Sequence, residues 1–317
     1  MKNAVSRRIF LNTAAKTAAA ITASAAFDGV ANARAFNLLE EHVAISAKSD
    51  RIVDIHTHFE PDNPKYIDDF LRMSDQLNVT ACMLTPFANR KVVAEAAKKY
   101  PRQIVPFGYV DLDSPDVAKQ VKELHDLGYR GLGELEFVKK LYNDPSYFPV
   151  YELANQYNWV VLFHTGIVLR AKFHEPEDVA SLRMRAIYLE EIARRFPKTT
   201  VIGAHCGNPE YEWAAGITRW NPNVFFDLSG STLKKLRGRL TDVSKYFWWT
   251  NTDEGTEQPN NDPSAFTKLV FGSDTSPKEV EGILTQYRAM FEACGVPESA
   301  RKLILGGTLA KILRLPE

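Results

Sequence analysis

Eight short apolar segments recur along the chain and alternate with segments of helical periodicity. The candidate strands are Ile52–Asp54, Val79–Thr85, Ile104–Val110, Gly131–Phe137, Trp159–His164, Thr200–His205, Val224–Leu228 and Leu269–Gly272. Strands that alternate with helices predict parallel βαβ units, and eight of them favour closure into a barrel over an open sheet. The fold class predicted for residues 51–317 is therefore α/β, a single-domain (β/α)8 TIM barrel, which needs about 250 residues.

The helical segments between these strands complete the predicted units. They are residues 67–76, 89–99, 116–127, 148–157, 182–195, 211–220 and 280–293. The chain contains neither a GxGxxG nor a GxxxxGK[ST] phosphate loop, which weakens a nucleotide-binding alternative.

Four of the candidate strands end in residues that bind metals. His56 and His58 lie at the end of the first strand, His164 ends the fifth strand and His205 ends the sixth. Asp274 follows the eighth strand. Side chains two apart on a strand share a face, so His56 and His58 can bind one ion. One histidine at a strand end is more often a hydrogen-bonded structural residue, but the combination predicts a metal site at the carboxyl end of the barrel.

The motifs around these residues resemble the amidohydrolase superfamily, in the branch that includes aminocarboxymuconate semialdehyde decarboxylase. The matching stretches are residues 54–58, 162–166, 203–207 and 271–277, with a closing helix at 302–313. The resemblance implies a (β/α)8 barrel and a divalent metal, Zn²⁺ or another such as Mn²⁺, as one or two ions. It also implies that His56, His58, His164 and Asp274 hold the metal. His205 would then be catalytic or substrate-polarising, or would bind a second metal.

The chemistry of these groups agrees with a hydrolytic role. A zinc ion lowers the pKa of a bound water toward ~7. A carboxylate beside that water, here Asp274, can take its proton and pass it to a leaving group. The imidazole of His205 can stabilise a developing oxyanion.

The fourth strand carries two carboxylates on one face. Glu134 and Glu136 alternate with Leu135 and Phe137, so the apolar face should meet the helices and the carboxylates should point into the barrel. Buried carboxylates are costly unless they are paired, protonated or metal-bound. We expect Glu134 and Glu136 to bind a second metal, to shuttle protons, or to pair with a cation inside the barrel.

Three further residues are candidates for substrate binding. Arg170, six residues beyond His164, could clamp a substrate carboxylate, although a solvated surface arginine is an equal alternative. Trp248 and Trp249 lie in a long segment after the seventh strand, where a loop at the barrel mouth often forms a lid. This aromatic cluster could equally form a core helix or an oligomer contact.

These features leave two enzymatic functions and one binding function open. The first is hydrolysis of a small-molecule amide, ester or lactone, and the second is metal-dependent decarboxylation of an aromatic or unsaturated carboxylic acid. A non-catalytic metal-binding or ligand-binding protein is the third. Lys and Arg balance Asp and Glu at 39 each, which argues against a nucleic-acid partner, while a homo-oligomer remains open.

The N-terminus has the features of an export signal. Ser6–Leu11 contains Arg7-Arg8 and matches the twin-arginine signature, an Ala-rich stretch follows, and residues 31–33 offer a small-x-small cleavage site. We expect residues 1–35 to form the signal peptide and residues 36–50 a leader, with the protein periplasmic or secreted. The Ala-rich stretch is too short and too interrupted by Asp28 for a stable membrane span.

Replacing Arg7 and Arg8 together by lysine should keep the protein inside the cell, because the arginine pair is the receptor-read part of the signal. Cell fractionation followed by immunoblotting measures this, with Lys16→Arg as the charge-preserving control. Normal export of the double variant would remove the argument.

Overall fold

Seven parallel strands form one sheet in sequential order, with helices between them. The computed structural model describes residues 51–169, 178–247 and 263–316. The strands are β1 (Ile52–His58), β2 (Val79–Pro86), β3 (Ile104–Tyr109), β4 (Gly131–Leu135), β5 (Val160–Phe163), β6 (Thr200–Gly203) and β7 (Val224–Phe226). The predicted signal peptide and leader, together with Arg170, Trp248 and Trp249, lie outside the described residues.

Helices follow most of the strands, as the sequence periodicity predicts. They are α1 (Tyr66–Leu77), α2 (Arg90–Lys99), α3 (Val117–Asp126), α4 (Phe148–Tyr157), α5 (Tyr188–Arg195), α6 (Tyr211–Trp220), α7 (Thr232–Lys235), α8 (Asp242–Tyr246), α9 (Val280–Ala293), α10 (Glu298–Lys302) and α11 (Thr308–Ile312). None of the helices in these described stretches is long and apolar enough to cross a membrane.

One predicted helix is wrong in its extent. Residues 182–195 do not form a single helix, because Arg185 has extended backbone angles that separate a short 3₁₀ turn at Ser181–Met184 from α5. The carbonyl of Met184 accepts a hydrogen bond from the N–H of Gly166, so this turn is bound to the chain beyond β5.

Residues 269–274, which we call the closing segment, lie between β7 and β1. The N–H of Val270 donates to the carbonyl of Phe226 at 2.9 Å, and the N–H of Ile55 donates to the carbonyl of Phe271 at 3.0 Å. The segment is thus bonded to both edges of the sheet, and the barrel closes as predicted. It is not a regular strand, because the N–H of Phe271 donates to Ile304 instead of to β1.

The carbonyl of Ile304 is available because the chain is a π-helix at Leu303–Gly307, between α10 and α11. A π-helix departs from the i→i−4 ladder, which frees carbonyl groups for other donors. A side chain at Gly306 would stand 2.4 Å from the carbonyl oxygen of Arg51, so glycine lets this helix approach the start of β1.

Buried apolar side chains form two layers, one on each face of the sheet. The larger layer lies between the strands and the surrounding helices. The smaller fills the barrel interior and includes Val53, Ile55, Leu84, Phe107, Leu162 and Val270. This interior cluster makes the barrel a packed core with its chemistry confined to one end.

Two glycines should respond oppositely to alanine substitution. A Cβ at Gly203 in β6 would stand 2.1 Å from the ring of Phe226, whereas a Cβ at exposed Gly216 in α6 meets nothing within 4 Å. We expect Gly203→Ala to lower the free energy of unfolding by about 1–3 kcal/mol through overpacking. Gly216→Ala should raise it by about 0.5–1 kcal/mol. Denaturant unfolding of both variants measures this, and equal shifts of one sign would contradict it.

Candidate metal centre

A β-bulge in β1 directs the HxH pair into the barrel. The register with β2 shifts between Asp54 and Thr57. Over this stretch β1 advances by three residues while β2 advances by only two. Without the shift, His58 would share the outward face of Ile52, which belongs to the outer layer. Because of it, His58 pairs with Leu84, whose side chain belongs to the barrel interior. The bulge therefore re-aims the histidines toward the interior.

A second bulge lies in β4 and re-aims Glu134. Leu132 pairs with Val161 and Leu135 pairs with Phe163, so one extra residue stands in β4. Both leucines belong to the outer layer, and Glu134 between them points inward. Gly133 has φ +138°, and a Cβ there would stand 2.7 Å from the carbonyl of Leu162. Glycine is required at that position because L-residues rarely adopt such a conformation.

Four side chains converge at the carboxyl end of the barrel as the first group. His56 Nε2 lies 3.1 Å from both His58 Nε2 and Glu134 Oε2, and His58 Nε2 lies 3.5 Å from that same oxygen. Asp274 Oδ1 lies 3.6 Å from each of the two Nε2 atoms. Ligand atoms at 2.0–2.1 Å from a tetrahedral ion stand about 3.3 Å apart, which these separations match.

The other oxygen of Glu134 belongs to a second group. Glu134 Oε1 lies 2.9 Å from His164 Nδ1 and 3.3 Å from His205 Nε2. These three ligand atoms lie within 4.8 Å of one another, as do those of His56, His58 and Glu134. One buried carboxylate thus faces two separate sets of imidazoles, which is the arrangement of a bridging ligand.

Asp227 and Ser229, which follow β7, hold the outer nitrogens of two of these imidazoles. His56 Nδ1 lies 3.1 Å from Asp227 Oδ2, and His205 Nδ1 lies 3.0 Å from Ser229 Oγ. Ser229 donates its hydroxyl proton to Asp227 Oδ1 at 2.6 Å, so its oxygen can only accept from the ring. Each Nδ1 is therefore the protonated nitrogen, and each Nε2 of a neutral ring presents a lone pair inward.

Lone pairs and a carboxylate that face one another at 3.1–3.6 Å repel unless positive charge lies among them. Burial alone would lower the pKa of His56, but the charges of Glu134 and Asp274 raise it well above its ordinary value. Burial alone would raise the pKa of Glu134, but the charge of His56 and hydrogen bonds from His164 and His205 hold it well below its usual range. The centre thus attracts cations, whether protons or metal.

The donor set fits a divalent transition metal. Imidazole nitrogens and carboxylate oxygens are the ligands that zinc and its neighbours prefer. The ring nitrogen of His164 that does not face Glu134, Nε2, is buried and has no hydrogen-bond partner among the described residues.

The structure brings the predicted residues together in a modified grouping. His56, His58 and Asp274 converge, with Glu134 as the further donor beside them, while His164 stands with Glu134 and His205. The assignment of His164 to the same ion as the HxH pair stays a prediction. Glu134 is 4% exposed and faces imidazoles, so the predicted pairing with a lysine or arginine inside the barrel does not occur among the described residues.

Glu136 and Phe137 depart from the predicted alternation because β4 ends at Leu135. Phe137 is 41% exposed with φ +55°, so it does not meet the helices as expected. Glu136 is partly buried near the centre, and burial together with the charge of Glu134 raises its pKa to about 8. It forms no ion pair with the imidazoles.

Sequence reasoning missed Asp54, Asp227 and Ser229. Asp54 Oδ1 accepts from the N–H groups of His56 and Ser273, at 3.0 and 2.9 Å, and so joins β1 to the closing segment. Burial raises the pKa of Asp54 to about 6. The sequence does carry a signal for Asp227 and Ser229: at the end of the apolar run of β7, these two polar residues alternate with Leu228.

Comparison with known proteins tests the resemblance that the motifs indicate. The sequence pattern of the amidohydrolase family matches residues 53–315, which confirms the resemblance inferred from the motifs. No curated protein sequence matches the chain.

Solved structures of similar fold share little sequence identity with the chain. An uncharacterised TIM-barrel protein from Bordetella bronchiseptica is 14% identical, with a TM-score of 0.58 over 84% of this chain and 99% of its own. The 5-carboxyvanillate decarboxylase of Sphingomonas paucimobilis is 13% identical, with a TM-score of 0.53 over 84% of this chain and 100% of its own. A probable 2-pyrone-4,6-dicarboxylic acid hydrolase from Acinetobacter baumannii is 15% identical, with a TM-score of 0.53 over 83% of this chain and 99% of its own. These likenesses confirm the TIM-barrel fold.

Ser229→Ala should weaken metal binding by roughly 10- to 100-fold, the usual cost of removing a group that orients metal-binding histidines. The change removes the hydroxyl oxygen that accepts from His205 Nδ1. Without this hydrogen bond, the ring is no longer held in the tautomer whose Nε2 lone pair points inward. Competition against a zinc chelator measures the affinity, and circular dichroism checks the fold. Ser244→Ala, which removes an exposed hydroxyl from α8, is the matched control. Equal zinc affinity in all three proteins would contradict the role of Ser229.

Proposed function

The chain belongs to the amidohydrolase family, and on that premise we propose that it is a metal-dependent hydrolase of a small-molecule amide, ester or lactone. The observation that carries the proposal is the convergence of two imidazole Nε2 atoms with the carboxylates of Glu134 and Asp274 at one end of the barrel. Nitrogen and oxygen donors held at this spacing suit one divalent ion.

His56, His58, Glu134 and Asp274 would hold the first ion. His164 and His205 would hold a second ion together with Glu134; if only one ion binds, His164 would join its ligands and His205 would face the substrate. A divalent ion bound there supplies Lewis acidity, which makes a water more acidic and a carbonyl more electrophilic. We favour zinc, with manganese as an alternative.

Asp274 is the proposed proton carrier. Its side chain is 29% exposed, whereas those of Glu134 and His56 are 5% and 0% exposed, so it can reach both water and substrate. Its backbone N–H donates to the carbonyl of His56 at 2.8 Å, which fixes it beside the HxH pair. Asp274 would accept a proton from the attacking water and deliver it to the leaving group.

His205 is the proposed oxyanion-stabilising group in a site with one ion. Its side chain is 14% exposed, and it lies between Ser229 on its outer nitrogen and Glu134 on its inner nitrogen. Burial would lower the pKa of His205, but its hydrogen bond to Glu134 and the charge of that residue raise it. When the ring takes up a second proton on Nε2, that N–H can donate to an oxygen that gains charge in the transition state.

Turnover in ¹⁸O-labelled water tests the reaction class. We would supply lactones, esters, amides and aromatic carboxylic acids to enzyme loaded with zinc or with manganese. Hydrolysis places one ¹⁸O atom in the acid product. Release of carbon dioxide without ¹⁸O in the remaining product would instead assign a decarboxylase, which can use the same side chains.

Asp274→Asn should lower kcat by about 10²–10⁴ while part of the metal is retained, because the amide keeps an oxygen near the ion but is not a base. Asp68→Asn removes an exposed carboxylate from α1 and should leave kcat unchanged. Metal content by mass spectrometry accompanies the kinetics. If Asp274→Asn turns over at the parent rate, the proton-carrier assignment fails.

A further inference from the structure

A cavity lies at the opposite end of the barrel from the metal centre. It encloses about 470 Å³ and is lined by residues at the starts of strands, among them Arg130 before β4 and Lys198 before β6. Arg314, which follows α11, completes the wall. A volume of this size suits a small molecule, since ligand pockets occupy roughly 300–1,000 Å³.

Among the described residues, the lining of this cavity carries positive charge and no carboxylate. Arg130, Lys198 and Arg314 line it, and no aspartate or glutamate does. None of the three forms an ion pair within the stretches that the structure describes. One lining residue contacts an acidic group: His125 Nδ1 lies 3.5 Å from the exposed Asp126. Positive charges held together at a concave surface create an electrostatic potential that attracts anions.

Arg130 is the most constrained of these cations. It is partly buried, and its guanidinium donates to the carbonyl of Leu313, which fixes it at the cavity wall. Burial and the nearby charge of Arg314 both lower the pKa of Arg130. A guanidinium so placed keeps free N–H donors for the planar, two-oxygen contact that carboxylates and phosphates offer.

Aromatic rings form the adjoining wall. His125 stacks on Tyr157 with ring centroids 3.8 Å apart and an interplanar angle of 16°, and Trp159 lies 5.1 Å from Tyr157. The stack presents flat ring faces, whereas Lys198 and Arg314 are exposed. The cavity thus combines an aromatic side with exposed positive charges.

We propose that this cavity binds a small organic oxyanion, a carboxylate or a phosphate ester, held by Arg130, Lys198 and Arg314. Function in TIM-barrel enzymes resides at the carboxyl ends of the strands, and the opposite end contributes to stability. An anion bound here therefore acts as a stabilising or regulatory ligand and not as a substrate. It would neutralise at once three cations that lie before β4, before β6 and after α11.

Calorimetric titration of the metal-loaded full chain tests the proposal, with inorganic phosphate and benzoate as separate probes. Ionic strength is held constant with chloride, so that general screening does not change. The double variant Lys198→Gln/Arg314→Gln should bind the preferred probe at least about tenfold more weakly, because two charge-assisted contacts are lost. Both side chains are exposed, so folding should be retained. Arg288→Gln, on the outer face of α9, is the matched control.

Each outcome decides the matter. Tighter binding of phosphate than of benzoate, lost in the double variant, assigns the site to phosphate esters, and the reverse preference assigns it to carboxylates. Equal affinity in the parent and the double variant places the anion elsewhere, for example at the metal centre, and overturns the proposal. Absence of heat for both probes up to about 10 mM, or equal weakening in Arg288→Gln, overturns it as well.

Discussion

The buried carboxylate of Glu134 is the charge around which the centre is built. An ionised carboxylate that is 4% exposed is strongly unfavourable unless positive charge surrounds it. Four imidazoles surround it, two at each oxygen, from β1 and from the ends of β5 and β6, and they meet this need when they are protonated or when they hold a cation. Their orientation in turn depends on Asp227 and Ser229 beyond β7. Strand β1 and the four strands β4 to β7 are therefore tied to the position of one side chain.

The alternation of apolar and helical segments was enough to predict the barrel, because burial on both faces leaves parallel strands as continuous apolar runs. The spacing of His56 and His58 was likewise enough to predict a shared face. The sequence could not reveal which face, since the bulge in β1 reverses the inward and outward sides partway along the strand. Strict alternation of inward and outward side chains predicted the inward direction of Glu134 correctly. It did so because the bulge at Gly133 lies on the N-terminal side of Glu134 and does not interrupt the alternation after it.

The residues that escaped prediction act through long-range hydrogen bonds. Asp54 and Ser273 are separated by 219 positions, and His56 and Asp227 by 171, so no local pattern links them. A histidine is conspicuous in a sequence because few occur, whereas one aspartate after a strand is common. What sets Asp227 apart is burial with two backbone donors and one ring, which only the folded chain displays.

The closing segment has a consequence for the order of events during synthesis. Asp274 enters the centre only after residues near the C-terminus have joined β1 to β7. A growing chain that ends before this segment holds His56, His58 and Glu134 but has no bond across the gap. Complete coordination of a metal would therefore require a chain that extends at least through Asp274. An ion that bound only the closed barrel would shift the folding equilibrium toward it, so metal supply would then affect how much of the protein survives proteolysis.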